Sequence, residues 1–235
     1  MTLLEICVDD LTGAIDAETA GADRVELCAN LMEGGTTPSY GLISRVCESV
    51  SRIGIQLMVR PRGGNFIYSA DELSVMRADI GFIRELAVNS RAPLGLVLGA
   101  LTHDGRIDMP ALTALIAEAG DLPVTFHKAF DETPDLPEAL SMLTDLGVTR
   151  VLTSGGAATA PDGAAMLRTL KLQASRGVAI LAGGGVRPAN VAEMIARSGV
   201  REVHLRAQSA SFRQDGTLRT DGTIVARMVR ALAVS

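Results

Sequence analysis

Short runs of apolar and β-branched residues alternate with longer amphipathic stretches from one end of the chain to the other. This alternation is typical of α/β folds, in which each helix crosses over a parallel sheet to the next strand. A helical stretch at 223–233 follows the last of these runs and completes eight strand–helix units. The runs predict strands at residues 3–8, 24–28, 55–60, 94–99, 123–127, 150–154, 178–182 and 202–206.

The stretches between the predicted strands have the spacing of surface helices. Apolar residues in 39–53 recur on one helical face, and Ser69 followed by Glu72 is a capping box that begins the next helix. Eight such units predict a single (β/α)₈ TIM barrel over residues 1–235. The alternative is an open parallel sheet, which would expose its edge strands, although the first and last predicted strands are mostly apolar.

Charge and composition exclude several classes of protein. With 27 acidic and 22 basic residues, the chain lacks the basic excess that is typical of nucleic-acid binders. No window approaches the roughly 20 apolar residues that a membrane helix needs, and the first residues show no signal-peptide pattern. Three cysteines, an odd number, argue against a secreted disulfide scaffold. We therefore expect a cytoplasmic protein that binds neither nucleic acid nor membrane.

In a TIM barrel the functional site lies where the strands end and the following loops begin. Alternation along the fifth strand points His127 into the barrel and Lys128 away from it, which disfavours a lysine-imine enzyme. The polar residues of the predicted strands and the loops that follow them are the candidates for catalysis: Glu5, Glu26, Arg60, His127, Asp131, His204 and Arg206.

Glycine-rich loops follow the sixth and seventh predicted strands. Glycine allows backbone N–H groups to approach an anion closely, and the N-terminus of the next helix adds a favourable dipole. The loops predict an anion-binding site, closed on its far side by arginines of the same rim, at Ser154, Gly155, Gly156, Gly184 and Gly185. The alternative is that these glycines only form tight turns.

The first two strands each place a carboxylate and a thiol on one face, as Glu5 with Cys7 and Glu26 with Cys28. Because a buried charge is costly unless it is paired, we expect these faces to line the barrel opposite basic residues. The alternative is a purely structural ion-pair network. The candidate counter-charges are Arg60, His127, His204 and Arg206.

Two thiolates on neighbouring strands, Cys7 and Cys28, could hold a soft monovalent metal ion such as copper(I). Inward residues of adjacent strands fall in alternating layers, so the two thiols need not be level. Buried cysteine is also common as a small apolar residue. Spacing alone therefore leaves a metal site and a packing role open, whereas Cys47 lies on the apolar face of its helix and is expected in the core.

Seven motifs, in order along the chain, resemble those of the CutC copper-homeostasis family from about residue 4 to residue 212. The resemblance implies a cytoplasmic TIM barrel that forms a homodimer or a higher homo-oligomer. It also implies copper(I) binding, with Cys7 and Cys28 matching the ligands proposed for the family. The motifs are CVD at 7–9, GADRVELC at 21–28, EGGTTPS at 33–39, RPRGGNF at 60–66, FHKAFD at 126–131, LTSGG at 152–156 and AGGGV at 182–186.

Two functional hypotheses follow, with a copper ion or a small anionic molecule as the partner. In the first, the protein binds copper(I) at Cys7 and Cys28 and carries it in the cytoplasm. In the second, it is an enzyme that acts on a small anionic or phosphorylated metabolite, with the rim arginines and histidines and the glycine loops as its site. The polar segment 207–216 lacks periodicity and is expected to be a loop.

Overall fold

Parallel strands pair in chain order and close into a barrel in which the last strand pairs with the first. The structure is a computed structural model that describes residues 2–174, 177–209 and 218–233, so most of the expected loop at 207–216 lies outside the described residues. The strands are Leu3–Val8 (β1), Arg24–Leu27 (β2), Gly54–Met58 (β3), Leu94–Leu98 (β4), Val124–Phe126 (β5), Arg150–Thr153 (β6), Ala179–Gly183 (β7) and Glu202–Leu205 (β8).

An α-helix follows each strand, and closure through the β1–β8 pair excludes the open sheet. The predicted (β/α)₈ barrel is therefore confirmed. Within the described ranges, no helix has the length and apolar character needed to cross a bilayer. The helices are Leu11–Thr19 (α1), Tyr40–Ser49 (α2), Ala70–Ala87 (α3), Met109–Ala119 (α4), Leu136–Asp145 (α5), Ala164–Gln173 (α6), Val191–Ser198 (α7) and Gly222–Ala233 (α8).

Local signals set the helix ends. The predicted capping box is present, since Ser69 and Glu72 each accept the other's backbone N–H at the start of α3. The helix predicted over 39–53 is shorter, because Val50 has extended backbone and ends α2. Val50 stays buried nevertheless, so its apolar spacing reflects core packing and not further helix.

Alternation along β1 and β2 sorts their side chains between two environments. Ile6 and Val25 are fully buried in the layer between barrel and helices, together with residues of α1. Cys7 and Cys28 belong to a separate apolar cluster inside the barrel, with Met58. The inward placement predicted for the carboxylate and thiol faces is therefore confirmed, and these faces lie beneath the barrel mouth.

Candidate functional site

Buried ion pairs cross the lower part of the barrel. Arg24 Nε donates to Glu5 Oε2 at 2.8 Å, and the same guanidinium also pairs with Glu202. Arg150 Nε donates to Glu202 Oε2 at 2.6 Å, which closes the set. Arg24 and Arg150 were not among the predicted site residues. Each is the first residue of its strand, and each lies on the side of the strand that faces into the barrel.

His204 links this ion-pair layer to the thiols above it. Its Nδ1 lies 2.9 Å from Glu5 Oε1, and its Nε2 lies 3.8 Å from Glu26 Oε2. Burial opposes the charged ring, but the Glu26 carboxylate and hydrogen bonds to Cys7 and Glu5 outweigh it and raise the pKa of His204 well above its usual value. His204 is thus the predicted counter-charge that pairs with both glutamates.

The other predicted counter-charges do not reach Glu5 or Glu26, so that part of the prediction is wrong. The Arg60 guanidinium donates to the backbone carbonyls of Glu33 and Gly35, since the loop after β2 folds over it. Arg206 follows the end of β8, above the glutamates, and faces Asp9, with 4.0 Å between Nη2 and Oδ2. Arg24 takes their place because it starts β2 beside Glu5 in the parallel register.

Glu5 stabilises the fold in a pH-dependent way. Burial alone would raise the pKa of its carboxyl, but the hydrogen bond with His204 and the charges of His204 and Arg24 lower that pKa to about 2, from 4.5. The ionised form is therefore favoured in the folded state. This stabilisation is complete above about pH 4.5 and is lost as the pH falls through about 2.

We therefore expect the difference in unfolding free energy between the wild type and Glu5→Gln to shrink as the pH falls from about 4.5 toward about 2. Urea unfolding of both proteins over this range measures it. The comparison with Glu5→Gln is needed because the raised pKa of Glu26 contributes with the opposite sign, stabilising at low pH. A difference that does not change with pH would contradict the assignment.

A thiol, a carboxylate and an imidazole converge at the base of the mouth. Ligand atoms of Cys7, Glu26 and His204 all lie within 4.8 Å of one another. Cys28 lies beside this set and not within it: its thiol donates to Glu26 Oε2 at 3.5 Å, and its side chain packs in one cluster with Cys7. The predicted pair of thiols is thus in contact, and the register that sets Cys7 opposite Glu26 brings in donors that the sequence did not assign to a metal.

The protonation states of this cluster differ sharply. The hydrogen bond from Cys28 outweighs burial and lowers the pKa of Cys7 well below its usual value. The same bond, together with burial, raises the pKa of Cys28. Burial and the Cys7 charge raise the pKa of Glu26 well above normal. Cys7 is therefore the more acidic thiol of the pair, and Cys28 is the less acidic one.

A cavity of about 440 Å³ opens above the cluster to the barrel mouth. Cys7 is 6% exposed and lines this cavity, whereas Cys28 is fully buried behind it. The cavity is also lined by Leu31, Met58, Phe66 and Leu152, by the acids Glu26, Glu33 and Glu132, and by Arg60, His127, Lys128, His204 and Arg206.

The predicted anion site after β6 already holds a carboxylate of the chain itself. The backbone amides of Ser154 and Gly156 donate to Asp131 at 2.9 Å, and the Gly155 amide donates to the Thr153 hydroxyl. These donors are therefore not open to a ligand in this arrangement. Asp131 was a catalytic candidate, and the structure places it as the acceptor that holds this loop.

The predicted orientation of Lys128 away from the barrel is wrong. β5 ends at Phe126, and a 3₁₀ turn at Lys128–Glu132 replaces strand alternation. The turn brings Lys128 Nζ to 3.1 Å from both Asp131 Oδ2 and Ser154 Oγ, at the wall of the cavity. A Cβ at Gly184 would lie 3.2 Å from the same Nζ, and Gly184 and Gly185 both have positive φ, so glycine fits this part of the rim.

Comparison with known proteins gives concordant matches. The profile of the CutC family matches residues 2–209. The copper homeostasis protein cutC homolog of Homo sapiens is 44% identical over 88% of this chain and 74% of its own length. A CutC family protein of Chromobacterium violaceum is 44% identical over 88% of the chain and 81% of its own length. The crystal structure of a CutC protein from Streptococcus agalactiae superposes with a TM-score of 0.80 at 37% identity, covering 87% of this chain and 98% of that one.

Proposed function

The chain belongs to the CutC family, and on this premise we propose that it binds copper(I) at Cys7 and Cys28 and carries it in the cytoplasm. The single observation that supports this most is that the Cys7 thiol lies beside His204 and packs with Cys28 at the base of an open cavity. The human relative carries the name of a copper homeostasis protein. The cytoplasm is the compartment in which such thiols stay reduced.

The chemistry of the donors fits copper(I). Soft thiolates select this ion, and imidazole suits copper as well. Cys7 and Cys28 would supply the sulfurs, and His204 would supply a ring nitrogen from the neighbouring strand β8 once it has lost the proton that its raised pKa favours. A hard carboxylate oxygen is a poor ligand for copper(I), so Glu26 has a different part in the site.

Glu26 is placed to take the proton that binding displaces. A thiol must lose its proton before it ligates a metal. The Cys28 thiol already donates to Glu26 Oε2 at 3.5 Å, and Glu26 Oε1 has no hydrogen-bond partner among the described residues. Burial and the Cys7 charge raise the pKa of Glu26, so its carboxylate, when ionised, is a strong base that would hold the proton leaving Cys28. In that exchange the negative charge would pass from Glu26 to the Cys28 sulfur.

Access to the site favours transport over permanent storage. Cys7 lines the cavity, and Cys28 lies behind it, so copper(I) entering from the mouth meets Cys7 first. A bound ion would leave by the same thiol. The family resemblance further implies a homodimer or higher homo-oligomer, and we include this assembly in the proposal.

Anaerobic titration of the reduced protein with copper(I), in competition with a chromophoric chelator, tests the proposal. We expect saturation near one copper per chain, because Cys7 lies beside His204 and also packs with Cys28, so a single site would use all three. Cys47→Ser is the matched control, since Cys47 is the third free thiol and lies on α2, outside the cavity. Absence of binding, or loss of the copper in Cys47→Ser, would contradict the proposal.

A further inference from the structure

Two buried N–H groups at the cavity wall lack a hydrogen-bond partner among the described residues. They are Arg60 Nε and His127 Nε2, and both residues line the cavity. Buried polar groups in native proteins are nearly always paired, so an orphan donor beside a cavity points to a missing acceptor. We propose that the cavity binds a small organic anion, a carboxylate or a phosphate monoester, whose oxygens accept from His127 Nε2 and from the rim cations.

His127 is held as an uncharged donor. Its Nδ1 accepts from the backbone N–H of Ala129 at 3.3 Å, so the proton of the neutral ring lies on Nε2. Burial and the charge of Arg60 lower its pKa to about 3, which keeps the ring neutral at physiological pH. The ring of Phe66, 4.7 Å away between centroids, packs beside it. The position of the His127 ring and the location of its proton are therefore both fixed before a ligand binds.

The charges at the wall favour an anion near His127. Arg60 lies over the Phe66 ring and donates to backbone carbonyls, and within the described ranges no carboxylate pairs with it. Lys128 and Arg206 reach the cavity from the other side of the rim. Each of these cations also lies near a carboxylate of a neighbouring loop. Glu33 and Glu132 also line the cavity, so the position of the anion is inferred from the unpartnered His127 Nε2 and not from the charge of the rim as a whole.

The remaining walls favour an organic ligand. Leu31, Met58, Phe66 and Leu152 line the cavity with apolar surface. Its volume of about 440 Å³ falls in the usual range of small-molecule sites, roughly 300–1,000 Å³. An inorganic anion would leave this surface uncovered. We therefore expect an apolar body attached to the anionic group, and this inference does not depend on copper binding.

Calorimetry of the copper-free, reduced protein with benzoate, phenyl phosphate and inorganic phosphate tests the proposal. We expect at least one of the two aromatic anions to bind about tenfold more tightly than inorganic phosphate. The better of the two identifies the source as carboxylate or phosphate monoester. His127→Asn keeps an acceptor for the Ala129 amide but removes the Nε2 donor, and should weaken binding about ten- to a hundredfold.

Two further variants make the result decisive. Arg206→Met, at the outer rim, should also weaken binding, and Lys171→Met removes an exposed cation outside the cavity and should not. No binding of either aromatic anion at millimolar concentration, or equal binding by the wild type, His127→Asn and Arg206→Met, would overturn the proposal. Copper(I) stoichiometry of His127→Asn should stay at the wild-type value, which separates this inference from the copper proposal.

Discussion

Arg24→Met should lower the free energy of unfolding by about 3–5 kcal/mol, because it removes one partner from a buried ion-pair set. Arg24 is 8% exposed and bonds to Glu5 and Glu202, both inside the barrel. Methionine fills most of the volume but leaves the Glu5 carboxylate with His204 as its remaining partner among the described residues. Urea unfolding at neutral pH measures the loss.

The matched control is a surface pair of the same types. Arg77 and Glu118 join α3 to α4 at 3.2 Å, and the Arg77 side chain is 57% exposed. Arg77→Met should cost below about 1 kcal/mol, as is usual for exposed pairs. If Arg24→Met lowered the free energy of unfolding no more than Arg77→Met does, the buried ion pairs would contribute little to stability, contrary to this prediction.

Cys7→Ser should weaken copper(I) binding by at least about a hundredfold. Loss of groups that only support a ligand already costs 10–100-fold in metal affinity in other proteins, and Cys7 is proposed as a ligand itself. Cys7 packs with Cys28 and lies beside His204, so the substitution removes the donor that is next to both of the others. A chelator competition assay under anaerobic conditions gives the affinity.

Cys28→Ser should also abolish tight binding, whereas Cys47→Ser should bind as the wild type does. All three substitutions remove one thiol, but only those of Cys7 and Cys28 lie inside the barrel. Circular dichroism checks that each variant is folded. Equal copper affinity in the three variants would leave the cysteines as packing residues.

The fold could be predicted from the sequence because each signal for it is local. Alternating apolar residues mark the strands, and the capping box at Ser69 marks the start of α3. The ends of the strands differ from the prediction where a loop residue accepts a backbone hydrogen bond that would otherwise extend the sheet. β3 ends at Met58 and not at residue 60, since the Arg60 N–H donates to the Thr37 hydroxyl instead of to a neighbouring strand. The alternation of side chains along β1 and β2 also correctly predicted that Cys7 and Glu26 point into the barrel.

The polar partners of the site could not be predicted in the same way. The counter-charge of Glu5 depends on strand register, which pairs Glu5 with Arg24 and His204 and is not visible within one segment. Asp131 accepts hydrogen bonds from the backbone amides of the loop after β6, because the 3₁₀ turn at Lys128–Glu132 places its carboxylate beside them. Glycine loops look the same in sequence whether a ligand or a side chain supplies the anion.

Copper K-edge X-ray absorption of the reduced protein loaded with one equivalent of copper(I) identifies the atoms bound to the ion. We expect two sulfur neighbours, from Cys7 and from Cys28 packed beside it, and one nitrogen neighbour from His204. In Cys7→Ser the sulfur shell should fall to one. A shell made only of nitrogen and oxygen, or a spectrum unchanged by Cys7→Ser, would contradict the assignment of the barrel mouth as the copper site.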